Sequence, residues 1–121
     1  MTGVQTCALP ICLAGYNRGE WGGKLVYFSS KGDEVKLLDE NVVGIFKTPN
    51  TIVVFTGLAH LTGNRGSVYS VVQNSDKSIS ADLLLTLPGA PSEPMQIESG
   101  DVLFGVRHAG EHHLKRALFK C

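Results

Sequence analysis

The sequence predicts an all-β chain of antiparallel, four-stranded repeats, and three observations lead there. The apolar residues fall in short runs rich in Val, Ile, Phe and Tyr, the side chains that suit a pleated, half-buried surface. Fourteen glycines in 121 residues stand as punctuation between those runs. No i, i+3, i+4, i+7 apolar pattern persists with a cap at each end, so helix has no long claim on the chain.

Taken in order, Lys24 to Ser29 (KLVYFS) is the first strong run of β-formers. Lys31-Gly32-Asp33 turns the chain into Glu34 to Leu38, where Val35 and Leu37 share a face. Asn41 opens Val42 to Lys47, and Thr48-Pro49-Asn50 is a tight connection with Pro49 set for a turn. Thr51 to Thr56 (TIVVFT) is almost wholly apolar, as a strand buried on both faces must be. Gly57 to Gly66 (GLAHLTGNRG) reads as a longer loop before Ser67 to Val72. Asn74 to Ser78 is a polar turn, and Ala81 to Leu87 is an apolar strand stopped by Pro88-Gly89-Ala90-Pro91. Met95 to Glu98 is weakly strand-like, Ser99-Gly100-Asp101 turns, and Val102 to Val106 and Leu114 to Phe119 close the set. Two short segments have a helical rival, Ala81 to Leu87 and His112 to Lys120.

The runs repeat. Gly23-Lys24-Leu25-Val26-Tyr27 resembles Gly66-Ser67-Val68-Tyr69, and Gly110 stands at a similar further offset. Asn50 to Phe55 resembles Gly100 to Phe104. A period of roughly 40 to 50 residues holding four short strands is the signature of a β-propeller blade. Residues 13–121 are then a partial propeller: the last two strands of one blade, one full blade from about Asn41 to Leu87, and three strands of a third. A β-sandwich or open meander is the alternative on the same pattern. From Gly19 to Tyr69 the text (GEWGG, NVVG, TGLAHL) also resembles an uncharacterised group of bacterial propeller-like proteins. That resemblance implies the repeat fold and carries no catalytic residue.

Residues 1–12 stand apart. Met1 to Ile11 (MTGVQTCALPI) reads as the translation of a common short-read sequencing adapter, and the adapter's last base also fits Cys12. As a signal peptide it lacks a basic start, and Pro10 interrupts its apolar stretch. The native start, and any targeting signal with it, is therefore expected to be missing, so localisation is open and the chain is expected to be a fragment. Cys7 and Cys12 drop out of the cysteine arithmetic, leaving Cys121.

A formal net charge of zero shows no bias toward nucleic acid. No apolar run approaches the roughly 20 residues of a membrane-spanning helix. The expected partners are the remaining blades, and no cofactor is expected. Arg107 to His113 (RHAGEHH) is the densest group of candidate ligands. His108, Glu111 and His112 could hold a divalent metal, but Gly110 breaks any helical His-Glu-x-x-His spacing, and an exposed hairpin loop explains the segment equally. His60, between two apolar residues in an expected loop, is a candidate acid, base or ligand, or a histidine packed against backbone. Trp21, beside paired glycines, is expected to pack on a neighbouring sheet, with sugar or cofactor stacking as the other use.

Strand alternation sorts the loops. Connections between second and third strands share an end with the connections between blades. That end should carry Asp39 to Asn41, His60, Asn64, Arg65 and His108, and it is the expected binding face. The other end should carry Lys31 to Asp33, Thr48 to Asn50 and Asn74 to Lys77. No P-loop, nucleophile elbow or Ser-His-Asp set can be assembled. Two functions stay open: a ligand- or protein-binding repeat scaffold, or part of a propeller enzyme with a loop-face pocket, with His60, His108 and His112 as its test residues.

Overall fold

The computed structural model describes residues 2–8, 11–29, 31–48, 51–60, 63–107 and 114–119. These form strands and one 3₁₀ turn, arranged as three antiparallel sheets that each follow chain order. The first sheet is β1 (Thr2–Ala8), β2 (Ile11–Asn17), β3 (Gly23–Phe28) and β4 (Glu34–Leu38). The second is β5 (Val42–Lys47), β6 (Ile52–His60), β7 (Gly63–Gln73) and β8 (Ile79–Leu87). The third is β9 (Pro91–Gln96), β10 (Val102–Arg107) and β11 (Leu114–Phe119).

The expected four-stranded unit at about 41–87 is therefore the second sheet, and three strands follow it. Two local readings need correction. The segment Gly57 to Gly66 is not a long loop: β6 and β7 stay paired out to His60 opposite Gly63, because Leu58 and Ala59 continue the ladder against Arg65 and Asn64. Ala81 to Leu87 is strand, as expected, and its helical rival falls, because β8 pairs with β7 from Gly66 to Gln73. The third sheet opens at Pro91, earlier than Met95. Two prolines are tolerated because β9 is the edge of its sheet, and the register shift beside them accommodates Glu93 at φ +50°.

The first sheet also has four strands where two were expected. β1 lies within residues 1–12 and β2 begins there, so the stretch read as adapter-derived pairs as a hairpin with the rest of the sheet. Cys12 is disulfide-bonded and stands opposite Cys7 in that ladder.

Within the second sheet β6 is buried on both faces, which accounts for its nearly unbroken apolar text, whereas the edge strand β8 is largely exposed. On one face Ile52, Val54 and Val71 join Leu13 and Leu25 of the first sheet, with Val42 and Ile45 between. On the other, Val53, Phe55, Val68 and Leu87 join Val102, Phe104 and Val106 of the third sheet. Phe55 is fully buried at the centre of an edge-to-face aromatic trio. Its ring centroid lies 5.7 Å from that of Phe46 and 4.9 Å from that of Phe104. The first strands of successive sheets meet, β1 with β5 and β5 with β9, and so do the last strands β4 and β8. The sheets thus stack face to face in chain order.

Candidate functional site

The connections sort to the two ends as strand alternation requires. At one end lie residues 39–41 between the first and second sheets, residues 88–90 between the second and third, the 3₁₀ turn Gly19–Trp21 between β2 and β3, and the paired strand ends His60 and Gly63. These pieces are bonded together. Gly57 donates its backbone N–H to the Asn41 carbonyl at 3.0 Å, and Ala90 donates to Asn64 Oδ1 at 2.8 Å.

Two equivalent glycines make this crossing possible. A Cβ on Gly23 would stand 2.3 Å from the Tyr16 carbonyl oxygen and 2.6 Å from Asn41 Oδ1. A Cβ on Gly66 would stand 2.5 Å from the Gly89 carbonyl oxygen and 2.7 Å from Pro91 Cδ. Each opens, or nearly opens, the third strand of its sheet, and each lies where the chain crosses to the next sheet. The recurrence of Gly23 in Gly66 is thus a packing requirement at the joint between sheets.

Asn41 is the centre of the first crossing and is buried. Its Oδ1 accepts from the Arg18 backbone N–H at 3.1 Å, and its Nδ2 donates to the Gly19 carbonyl at 2.7 Å. Asn17 Oδ1 accepts from the Gly19 N–H at 2.9 Å. Arg18 also donates to the Gly22 carbonyl, and Trp21 and Gly22 donate back to Arg18 and Gly19, all between 3.0 and 3.1 Å. Gly22, at φ +89°, takes a conformation that a side chain would strain. The turn is therefore held rigidly, and it lies against β6. Trp21 does not pack on a neighbouring sheet as expected: it is 79% exposed.

Beneath the turn, Glu40 bridges the first joint. Its carboxylate accepts from the Tyr69 hydroxyl, and Thr56 Oγ1 lies 3.5 Å from Oε1. Burial and the adjacent carboxylate push the Tyr69 phenol up to about 12. Asp39 is taken up by Lys36 at 2.7 Å. Arg65 sits opposite Leu58, on the same face of β7 as Tyr69 and Val71, the face turned to the first sheet. Arg18 and Arg65 are both exposed, and neither has an ion-pair partner among the described residues.

The structure thus brings Asn64, Arg65 and the Asp39–Asn41 connection to one end, with different duties. Asn64 accepts from the Ala90 backbone and serves the crossing, whereas Arg65 is open to solvent. His60 closes the backbone ladder of β6 at that end. His108, Glu111 and His112 lie outside the described residues, as does any metal geometry they would make. Among the described residues no group of three His, Cys, Asp or Glu is placed to hold a metal ion. Sequence reasoning passed over Arg18, and it underrated Trp21. Their clue lies in Asn17 and Asn41, two residues suited to turns and side-chain caps, although nothing in a single sequence pairs them.

In comparisons with known proteins, no family model matches the chain, and no curated protein or solved structure matches it.

Proposed function

We propose that the chain is an incomplete β-propeller repeat domain that serves as a binding scaffold for a small ligand or a protein, and that it binds at the end where its sheets cross over. The observation that carries this reading is the order of stacking: three antiparallel meanders packed face to face in chain order, with first strand beside first strand. Repeated blades of that kind leave one ring of crossing loops as the surface free to vary. That end holds an exposed aromatic and two guanidinium groups without an ion-pair partner among the described residues, over a hydrogen-bonded base. Outlying blades of the same design are the partners expected to cover the outer faces of the first and third sheets.

Two measurements test it. The intact gene should carry further copies of the Asn41–Leu87 pattern, and its absence from the surrounding open reading frame would sink the propeller. Immobilised protein should then be screened against defined arrays of peptides, glycans and small molecules. A hit should be lost in the double variant Arg18→Ala/Arg65→Ala and kept in Lys31→Ala/Lys77→Ala at the opposite end. The reverse pattern would move the binding surface elsewhere.

A further inference from the structure

The loop end has a chemistry more specific than binding in general. Trp21 is the only tryptophan in the chain and the most exposed of the large apolar side chains among the described residues. A ring of that size left in water gives up a large burial term, since tryptophan can cover roughly 150–250 Å². Here it is left in water by design of the backbone. Asn17 and Asn41 fix the turn from below with three hydrogen bonds of 2.7 to 3.1 Å, and three more close it internally. A ligand meeting that indole meets a turn already ordered, so little chain entropy is lost on binding.

The surroundings choose the ligand class. The other exposed apolar residues lie elsewhere: Val35 on β4, Leu83 to Leu85 on β8, Met95 on β9 and Ile97 in the turn beyond it. A docking protein needs a patch of about 800 Å² with an apolar centre, and one indole among arginines does not supply it. A pyranose ring fits better, since it offers one flat face of C–H groups to an aromatic and hydroxyls to everything else. Two guanidinium groups stand at this end: among the described residues Arg18 and Arg65 are exposed with no ion-pair partner, and Asp39 pairs with Lys36, whereas Glu40, which accepts from Tyr69, and Glu20, within the turn itself, bring negative charge to the same end. Arg65 lies on the face of β7 turned toward the first sheet, and the Trp21 turn rests against β6, whose Leu58 is opposite Arg65. A guanidinium matches a planar carboxylate with two parallel hydrogen bonds.

We infer that the joint between the first and second sheets binds an acidic carbohydrate, with a uronic acid ring stacked on Trp21 and its carboxylate taken by Arg18 and Arg65. The inference rests on the proposed binding end and narrows it to a ligand class.

Because Trp21 is the sole tryptophan, its fluorescence reads this site alone. The full chain is titrated with hexagalacturonate, with cellohexaose as a neutral sugar and with dextran sulfate as a polyanion without carboxylates. Hexagalacturonate should shift the emission to the blue in a saturable way, while cellohexaose should act weakly and dextran sulfate no better. Calorimetry should show binding weakened about tenfold or more in Trp21→Ala, the scale of an aromatic hot spot. Arg65→Lys, which keeps the charge and loses the fork, should also weaken it. Both side chains are exposed, so circular dichroism should confirm unchanged folding. An emission spectrum indifferent to hexagalacturonate overturns the inference, as does an equal response to dextran sulfate, which would reduce the site to its charge. If the array screen finds a peptide that the loop-end double variant abolishes while hexagalacturonate does nothing, the acidic-sugar assignment falls and the scaffold reading stands.

Discussion

The Tyr69 hydroxyl, on the third strand of the second sheet, donates to the carboxylate of Glu40, in the connection that leaves the first sheet. This places a hydrogen bond to a charged group beside the apolar packing of the first joint, where Leu13, Leu25, Val54 and Val71 meet. Such a bond contributes more than a neutral one, about 1.5–3 kcal/mol when it is well formed. Tyr69→Phe should therefore lower unfolding stability by about 1–2 kcal/mol in urea, allowing for the partial exposure of both groups.

The same pair sets a pH limit. Tyr69 titrates at about 12 against 10.0 for a phenol in the open chain. With the folded-state value raised, its contribution is fully present below pH 10.0 and is lost as pH rises toward about 12. Equilibrium unfolding followed from pH 9 to about 12 should show a decline over that window that is shallower in Tyr69→Phe. Identical slopes in the two proteins would remove Tyr69 as the cause.

Asn41 supports the Trp21 turn from inside the protein. Asn41→Ala removes the acceptor for the Arg18 N–H and the donor to the Gly19 carbonyl. About 1–2 kcal/mol of stability should go with them, since the partly buried Gly19 carbonyl loses its side-chain donor while the Arg18 N–H keeps only the Gly22 carbonyl. Fluorescence anisotropy of Trp21 should fall as the turn loosens. Unchanged anisotropy would mean that the turn is held by its own internal bonds.

Gly23→Ala should be far more damaging than Gly32→Ala. The first pushes a methyl against the Tyr16 backbone oxygen, which has no room to move. The second meets nothing within 4 Å and suffers only from φ +87°. Losses of about 2–3 kcal/mol against about 1 kcal/mol are expected in chemical denaturation. Phe55→Ala, which empties the centre of the second joint, should cost about 3–5 kcal/mol.

β8 is the edge of the second sheet, and Leu83, Leu84 and Leu85 are all at least 44% exposed on it. An apolar edge with unpaired backbone groups is a template for self-association. Light scattering should show the chain associating with concentration, and Leu84→Lys should reduce this without loss of fold. A wild-type chain that stays monomeric at high concentration would show that the edge is already protected.

Most strands were legible because their chemistry is local. Ile52 to Phe55 can only be a strand buried on both faces, and Lys24 to Phe28 is β-branched and aromatic. The extension of β6 to His60 was not legible, since Leu58 and Ala59 carry no β preference and are held by their partners on β7. β9 was hidden by its prolines, which only an edge position excuses. The end where the sheets cross over was legible in outline, because alternation alone sends Asn64, Arg65 and Asn41 to one side. Which of them serves the crossing and which faces solvent depends on bonds between residues more than twenty positions apart, such as Asn41 with Arg18 and Asn64 with Ala90.

Every ladder in the three sheets joins strands that are neighbours along the chain. Hairpins of that kind close short loops and can form as the polypeptide emerges, without waiting for distant sequence. The two apolar seams are different, because the second sheet has one partner made before it and one made after. While the ribosome is still adding β9 and β10, Val53, Phe55 and Val68 have only their own sheet to lie against. The vulnerable interval in this molecule's synthesis therefore falls after its second sheet is complete, on the side of β6 that carries Phe55.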